Sequence, residues 1–74
     1  MYTTFQQLQI GNYFRIQGIS TSCVYRKAGS VECSLGALLQ PIRPETKVEL
    51  LNDKEIAEYF KEKFTARARV LGES

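Results

Sequence analysis

Histidine and tryptophan are absent from this 74-residue chain, cysteine and proline occur twice each, and methionine once. Without an imidazole there is no Ser-His or Cys-His nucleophile pair and no histidine ligand for a metal. Cys23 and Cys33 alone do not make up the four ligands of a structural zinc site. No apolar run approaches the roughly 18 residues that a membrane span needs, so no membrane partner is expected. Residues 1–7 have neither a basic n-region nor an apolar h-region and do not read as a signal peptide. A cytoplasmic location is the expectation, and there the two thiols stay reduced. A Gly-rich phosphate loop, a GxSxG elbow and metal-ligand spacing are all missing. The chain is therefore not expected to be an enzyme or to carry a cofactor or metal.

What is present is ordinary globular composition, 43% hydrophobic and 24% charged, which argues against disorder. At 8.4 kDa it makes one domain, residues 1–74. A domain of this size buries only about 60% of its unfolded surface, so its core is small. The net charge of +2 is too mild to imply a polyanionic partner by itself. Its distribution says more. Residues 1–44 carry Arg15, Arg26, Lys27 and Arg43 against Glu32. Residues 45–58 reverse this, with Glu45, Glu49, Asp53, Glu55 and Glu58 against Lys47 and Lys54. Residues 59–74 return to Lys61, Lys63, Arg67 and Arg69 against Glu62 and Glu73. An acidic band thus lies between two basic ones.

Glycines at 11, 18, 29 and 36 punctuate the first half, a spacing that means short strands and tight turns. Thr4 with Gln7 reads as the capping box of a short opening turn, anchored by Phe5, Leu8 and Ile10. Strands are expected at residues 13–17, 22–26, 31–35, 37–40 and 47–51, with Phe14 and Ile16 facing inward. Lys27-Ala28-Gly29 suits a three-residue hairpin loop with Gly29 left-handed, a register that puts Cys23 opposite Cys33. Five short strands joined in a meander close most economically into a small barrel over residues 1–51, too small for a ligand cavity.

The period then changes to that of a helix over residues 52–71. Asn52 or Asp53 is a ready N-cap, and Asp53, Glu55 and Glu58 crowd the end the dipole makes positive. Ile56, Phe60, Phe64 and Ala68 recur at i+4, widened by Ala57, Tyr59 and Leu71, and Gly72 stops the helix.

Outer surface is then the place for function. Lys63, Arg67 and Arg69 on the helix, with Tyr59, are candidates for docking a protein partner; the plainer reading of these cations is a solvated helix end complementing its own dipole. Tyr13 and Tyr25 on the strands join them, and core packing is their plainer role. The alternative is nucleic-acid binding on the sheet face through Tyr13, Arg15, Tyr25, Arg26, Lys27 and Arg43, because aromatics mixed with cations suit stacking on bases. Glu55, Glu58 and Glu62 would repel a phosphate backbone. Homo-oligomerisation through the apolar helix stripe is a third expectation.

The run Thr4-Phe5-Gln6-Gln7-Leu8-Gln9-Ile10-Gly11-Asn12-Tyr13-Phe14 resembles the opening of many small bacterial and bacteriophage proteins. Val24-Tyr25-Arg26-Lys27 and Ile42 with Pro44-Glu45-Thr46-Lys47-Val48 extend the likeness, which covers about residues 3–50. It implies an SH3-like small β-barrel and carries no catalytic or ligand-binding signature. The helix is not part of that pattern. The expected fold is α+β: a small SH3-like five-stranded antiparallel β-barrel with a C-terminal amphipathic α-helix. The expected function is a non-catalytic protein–protein interaction module, a small phage or bacterial regulatory or accessory protein.

Overall fold

A computed structural model describes residues 2–72 of the chain, with side chains for residues 2–63. Six strands and one helix follow in order: β1 Tyr2–Thr4, β2 Tyr13–Ile16, β3 Tyr25–Gly29, β4 Glu32–Leu35, β5 Leu38–Pro41, β6 Lys47–Leu50 and α1 Asp53–Gly72. The strands form one antiparallel sheet in the order β1-β6-β2-β3-β4-β5. The α+β class and the C-terminal helix are therefore as expected. The strand count is six rather than five, because Tyr2–Thr4 pairs with β6 through Tyr2↔Glu49, Thr3↔Val48 and Thr4↔Lys47. The sheet is not closed: among the described residues, no ladder joins β1 to β5.

Between β1 and β2 the chain makes a 3-10 turn, Phe5–Gln7, with Thr4 as its N-cap. The Thr4 N–H (3.4 Å) and the Thr3 hydroxyl both donate to Gln7 Oε1, the reciprocal half of the expected box. Phe5 N–H donates to Thr46 O and Gln6 N–H to Pro44 O, both at 2.9 Å, which ties the turn to the β5–β6 connection. Phe5 and Leu8 enter the core as expected. Ile10 does not: it is 69% exposed, because the chain reverses at Gly11, whose φ of +98° an L side chain rarely adopts.

Two local expectations fail at the β3–β4 hairpin. The turn is Ser30–Val31, not residues 27–29, and β3 runs on to Gly29, whose φ is not positive. A register shift between Lys27 and Gly29 then sets Lys27, not Cys23, opposite Cys33. Cys23 lies in the loop before β3, and both thiols are free. Burial pushes the Cys33 thiol above its ordinary value, the opposite of what a reactive thiolate needs.

The core is a cluster of Phe5, Leu8, Phe14, Tyr25, Cys33 and Val48, with Ile16, Cys23, Leu35 and Ile42 packed against it. Phe14 is its hinge point, edge-on to Phe5 at 5.5 Å and stacked on Tyr25 at 5.7 Å. Each such fully buried apolar side chain is worth about 1.5–3 kcal/mol of transfer free energy. One cation shares this interior. Lys27 is 5% exposed, and its Nζ donates to Phe5 O at 2.9 Å and Leu8 O at 2.8 Å while lying 4.6 Å from the Phe5 ring centre. The ammonium thus adds a second donor to the Phe5 carbonyl, which already accepts from Leu8 N–H within the turn at 3.1 Å, and takes up the Leu8 carbonyl, so that it bolts the turn to β3.

Asn52 caps α1. Its Oδ1 accepts from Glu55 N–H at 2.8 Å, and its own N–H donates to Glu55 Oε1 at 3.1 Å, a complete reciprocal box. The helix runs one residue beyond the expected end, to Gly72. Among the described residues, no helix is long and apolar enough to cross a membrane.

Candidate functional site

The helix enters beside β2, because β6, which pairs with β2, ends at Leu50 and only Leu51 and Asn52 intervene. Leu51 N–H donates to Tyr13 O at 3.0 Å, which fixes the exit of the chain over β2. Alternation along β2 sends Phe14 into the core and turns Tyr13 and Arg15 to the other face, where the helix arrives. Tyr13 meets Phe60 edge-on at 5.3 Å between ring centres. Arg15 Nη1 donates to Glu55 Oε2 at 3.1 Å, and Arg15 Nε donates to Thr21 O at 2.9 Å. One guanidinium therefore links β2, the β2–β3 loop and the first turn of α1.

Between that loop and α1 lies an open groove of about 390 Å³. It is lined by Arg15 of β2, by Thr21 and Ser22 of the loop, and by Glu55, Glu58, Tyr59, Glu62 and Lys63 of α1. Lys63 Nζ stands 5.6 Å from the Tyr59 ring centre, which gives the helix wall an aromatic ring capped by a cation. The Glu55 carboxyl is held below the ordinary glutamate value, first by the Asn52 N–H and then by the Arg15 guanidinium. With Glu55 and Arg15 satisfying each other, Glu58 and Glu62 give the groove an acidic wall and Lys63 a basic rim.

The expected site residues separate cleanly. Tyr59, Lys63 and Arg15 meet in the groove, and Tyr13, outside its lining, packs against Phe60. Tyr25 is not at the surface: it is 7% exposed because its ring completes the Phe14 stack, and burial, with lesser contributions from Cys23 and Cys33, raises its phenol above the ordinary value. Lys27 is likewise withdrawn into the interior by the Phe5 and Leu8 carbonyls. Arg26 is exposed beside Tyr13 across the β2–β3 ladder, and Arg43 is exposed in the β5–β6 connection. The side chains of Arg67 and Arg69 lie outside the described residues. Thr21, Ser22, Glu55, Glu58 and Glu62 were not singled out from the sequence as members of one site. The acidic helix residues were legible as dipole partners and as a face that repels a phosphate backbone, and nothing local announces that the loop at residues 17–24 folds up to them.

Among the described residues, no group of three or more histidine, cysteine, aspartate or glutamate side chains is arranged to hold a metal ion. No family model, curated protein or solved structure matches the chain.

Proposed function

We propose that this chain is a non-catalytic protein–protein interaction module that docks its partner in the groove between α1 and the β2–β3 loop. It would act as a small bacterial or phage regulatory or accessory protein in the cytoplasm. The observation that carries this reading is the convergence of Arg15, Tyr59 and Lys63 on one open groove, with the Tyr13–Phe60 contact joining β2 to α1. Tyrosine and arginine are the residues on which binding energy concentrates at protein interfaces, since they combine area with a polar handle. The scaffold we read as an SH3-like barrel left open at its edges: β2 to β5 form a meander and β6 returns to pair with β2, which supports that order. The nucleic-acid reading has less to stand on, since Lys27 is buried and Arg15 is engaged by Glu55.

The test is capture from a lysate of the source organism with wild type and a Tyr59→Ala/Lys63→Ala variant. The expected result is a protein retained in stoichiometric amount by wild type, resistant to nuclease, and lost with the variant. Equal retention by both would contradict the groove. Retention only of nuclease-sensitive material, released as salt rises toward physiological strength, would transfer the site to the nucleic-acid alternative.

A further inference from the structure

An open sheet has two outer edges, here β1 and β5, and each presents backbone groups that a further strand could pair with. On β1, Phe5 N–H donates to Thr46 O, so Phe5↔Thr46 is a hydrogen-bonded pair and Thr3↔Val48, two residues back, is another. Thr4↔Lys47 between them is not, and Thr4 turns its N–H away from β6. Gln7 Oε1 accepts from that N–H at 3.4 Å. An outward donor of this three-residue edge is thus held by a side chain of its own segment.

The β5 edge is managed differently. Ile42 N–H donates to Val31 O at 2.9 Å, and counting back by twos makes Cys33↔Gln40 and Leu35↔Leu38 hydrogen-bonded pairs as well. Leu39 and Pro41 belong to the alternate pairs, Ser34↔Leu39 and Glu32↔Pro41, so their backbone groups point out of the sheet. Leu38 and Leu39, on opposite faces of the strand, are both more than half exposed. Leu38-Leu39-Gln40-Pro41 carries no charge, the common deterrent to strand addition. Pro41 is what remains, and proline is confined in sheets to edges where its missing N–H faces outward.

The strand it would otherwise admit is its own copy. Laid antiparallel about a two-fold axis at Gln40, β5 sets Leu38 opposite Ile42 of the second copy, so the side chains are self-complementary. In that register Leu39 and residue 41 exchange two backbone hydrogen bonds on each side of the axis, four in all. Pro41 supplies no N–H, which removes two of the four, and its ring stands where the hydrogen would be. From this register we infer that Pro41 guards the β5 edge, keeping β5 from adding to β5 of a second copy of this chain. The role is separate from the groove beside α1 and does not depend on it.

Sedimentation equilibrium of the full chain carrying Pro41→Val tests it against wild type. Restoring two backbone bonds should tighten self-association about thirtyfold, or about 2 kcal/mol. The mass should rise from 8.4 kDa toward twice that value and stop there, because a two-fold pair uses up both β5 edges. Pro41→Ala restores the same N–H with a smaller side chain and should act in the same direction, so the result does not hang on how valine packs. Moving the proline, Leu39→Pro/Pro41→Val, removes the other two bonds of the four and should return association to the wild-type level. The β4–β5 ladder is untouched by that exchange, since Leu39 N–H also points outward. Circular dichroism and urea denaturation check that each variant folds. Val and Ala variants that associate no more than wild type overturn the inference, as does association of Pro41→Val that persists with proline at position 39.

Discussion

The sheet and the helix are built from the same thin supply of apolar residues but spend it differently. Phe5, Phe14, Val48 and Cys33 are each at most 1% exposed, and the aromatic rings of the sheet touch one another from two sides. On α1 the largest described apolar side chain, Phe60, is 43% exposed and meets a single ring of the sheet. Even the cations differ: Lys27 of the sheet is enclosed and bolts two segments together, whereas Lys63 of the helix stands over Tyr59 at the rim of a groove. In a domain this small, closing a core over the sheet leaves little apolar surface to fasten a long helix. Among the described residues, the region with fewer core contacts is also the one that lines the groove.

That contrast can be broken or sharpened by substitution. Phe14→Ala should have the largest effect, about 3–5 kcal/mol, because it removes the ring that both Phe5 and Tyr25 pack on. Urea denaturation should show sheet and helix lost together, and a loss below about 1 kcal/mol would mean that the core lies elsewhere. Lys27→Met should cost about 2 kcal/mol, since a chain of similar length withdraws the buried donor from the Leu8 carbonyl and leaves the Phe5 carbonyl with Leu8 N–H alone. A neutral or stabilising result in the same assay would show that the ammonium is a burden rather than a bolt. Asn52→Ala should cost about 1 kcal/mol by removing the N-cap, read as helical circular dichroism lost at lower temperature than wild type.

Arg15→Ala should be smaller still, a few tenths of a kcal/mol, because the Arg15–Glu55 pair is only partly shielded from water. Its effect should fall on the amide exchange of the β2–β3 loop and the first turn of α1, with the β3 and β4 amides unchanged. The pH dependence is the finest probe. Glu55 has a folded-state value below its unfolded one, so the unfolded chain binds the proton more readily. Its contribution is therefore complete at neutral pH, begins to go as pH falls below the ordinary glutamate value of about 4.3, and is gone once pH passes the lower folded value. Helical circular dichroism titrated over that range should show this step in wild type and lose it in Glu55→Gln.

The sequence made the helix legible because its signals are local. A capping asparagine, acids in the first turn, an i+4 row and a terminal glycine all lie within one segment, and its end moved by one residue, to Gly72. Most of the strands were legible from alternation. What escaped depended on distant partners. Tyr2–Thr4 is too short to show a period, and it is a strand only because β6 is there to pair with it. Lys27 occupies an inward position of β3 that alternation assigns to an apolar residue, and its acceptors come from a turn some twenty positions earlier. The bulge that shifts Cys33 onto Lys27 leaves no mark in composition. The groove was half visible: Tyr59, Lys63 and Arg15 were candidates, but in two rival sets, and the ion pair that unites them spans 40 positions.

Residue-resolved native-state hydrogen exchange puts the division between the two regions to the most direct test. The amides of β2, β3 and β6 around Phe14, Tyr25 and Val48 should exchange only through global unfolding, with a free energy that falls in step with urea. Amides of α1 between Glu55 and Lys63 should exchange through a separate opening of lower free energy and weak urea dependence, lowered further by Arg15→Ala. A single free energy shared by the helix and the sheet core, unmoved by Arg15→Ala, would contradict the account.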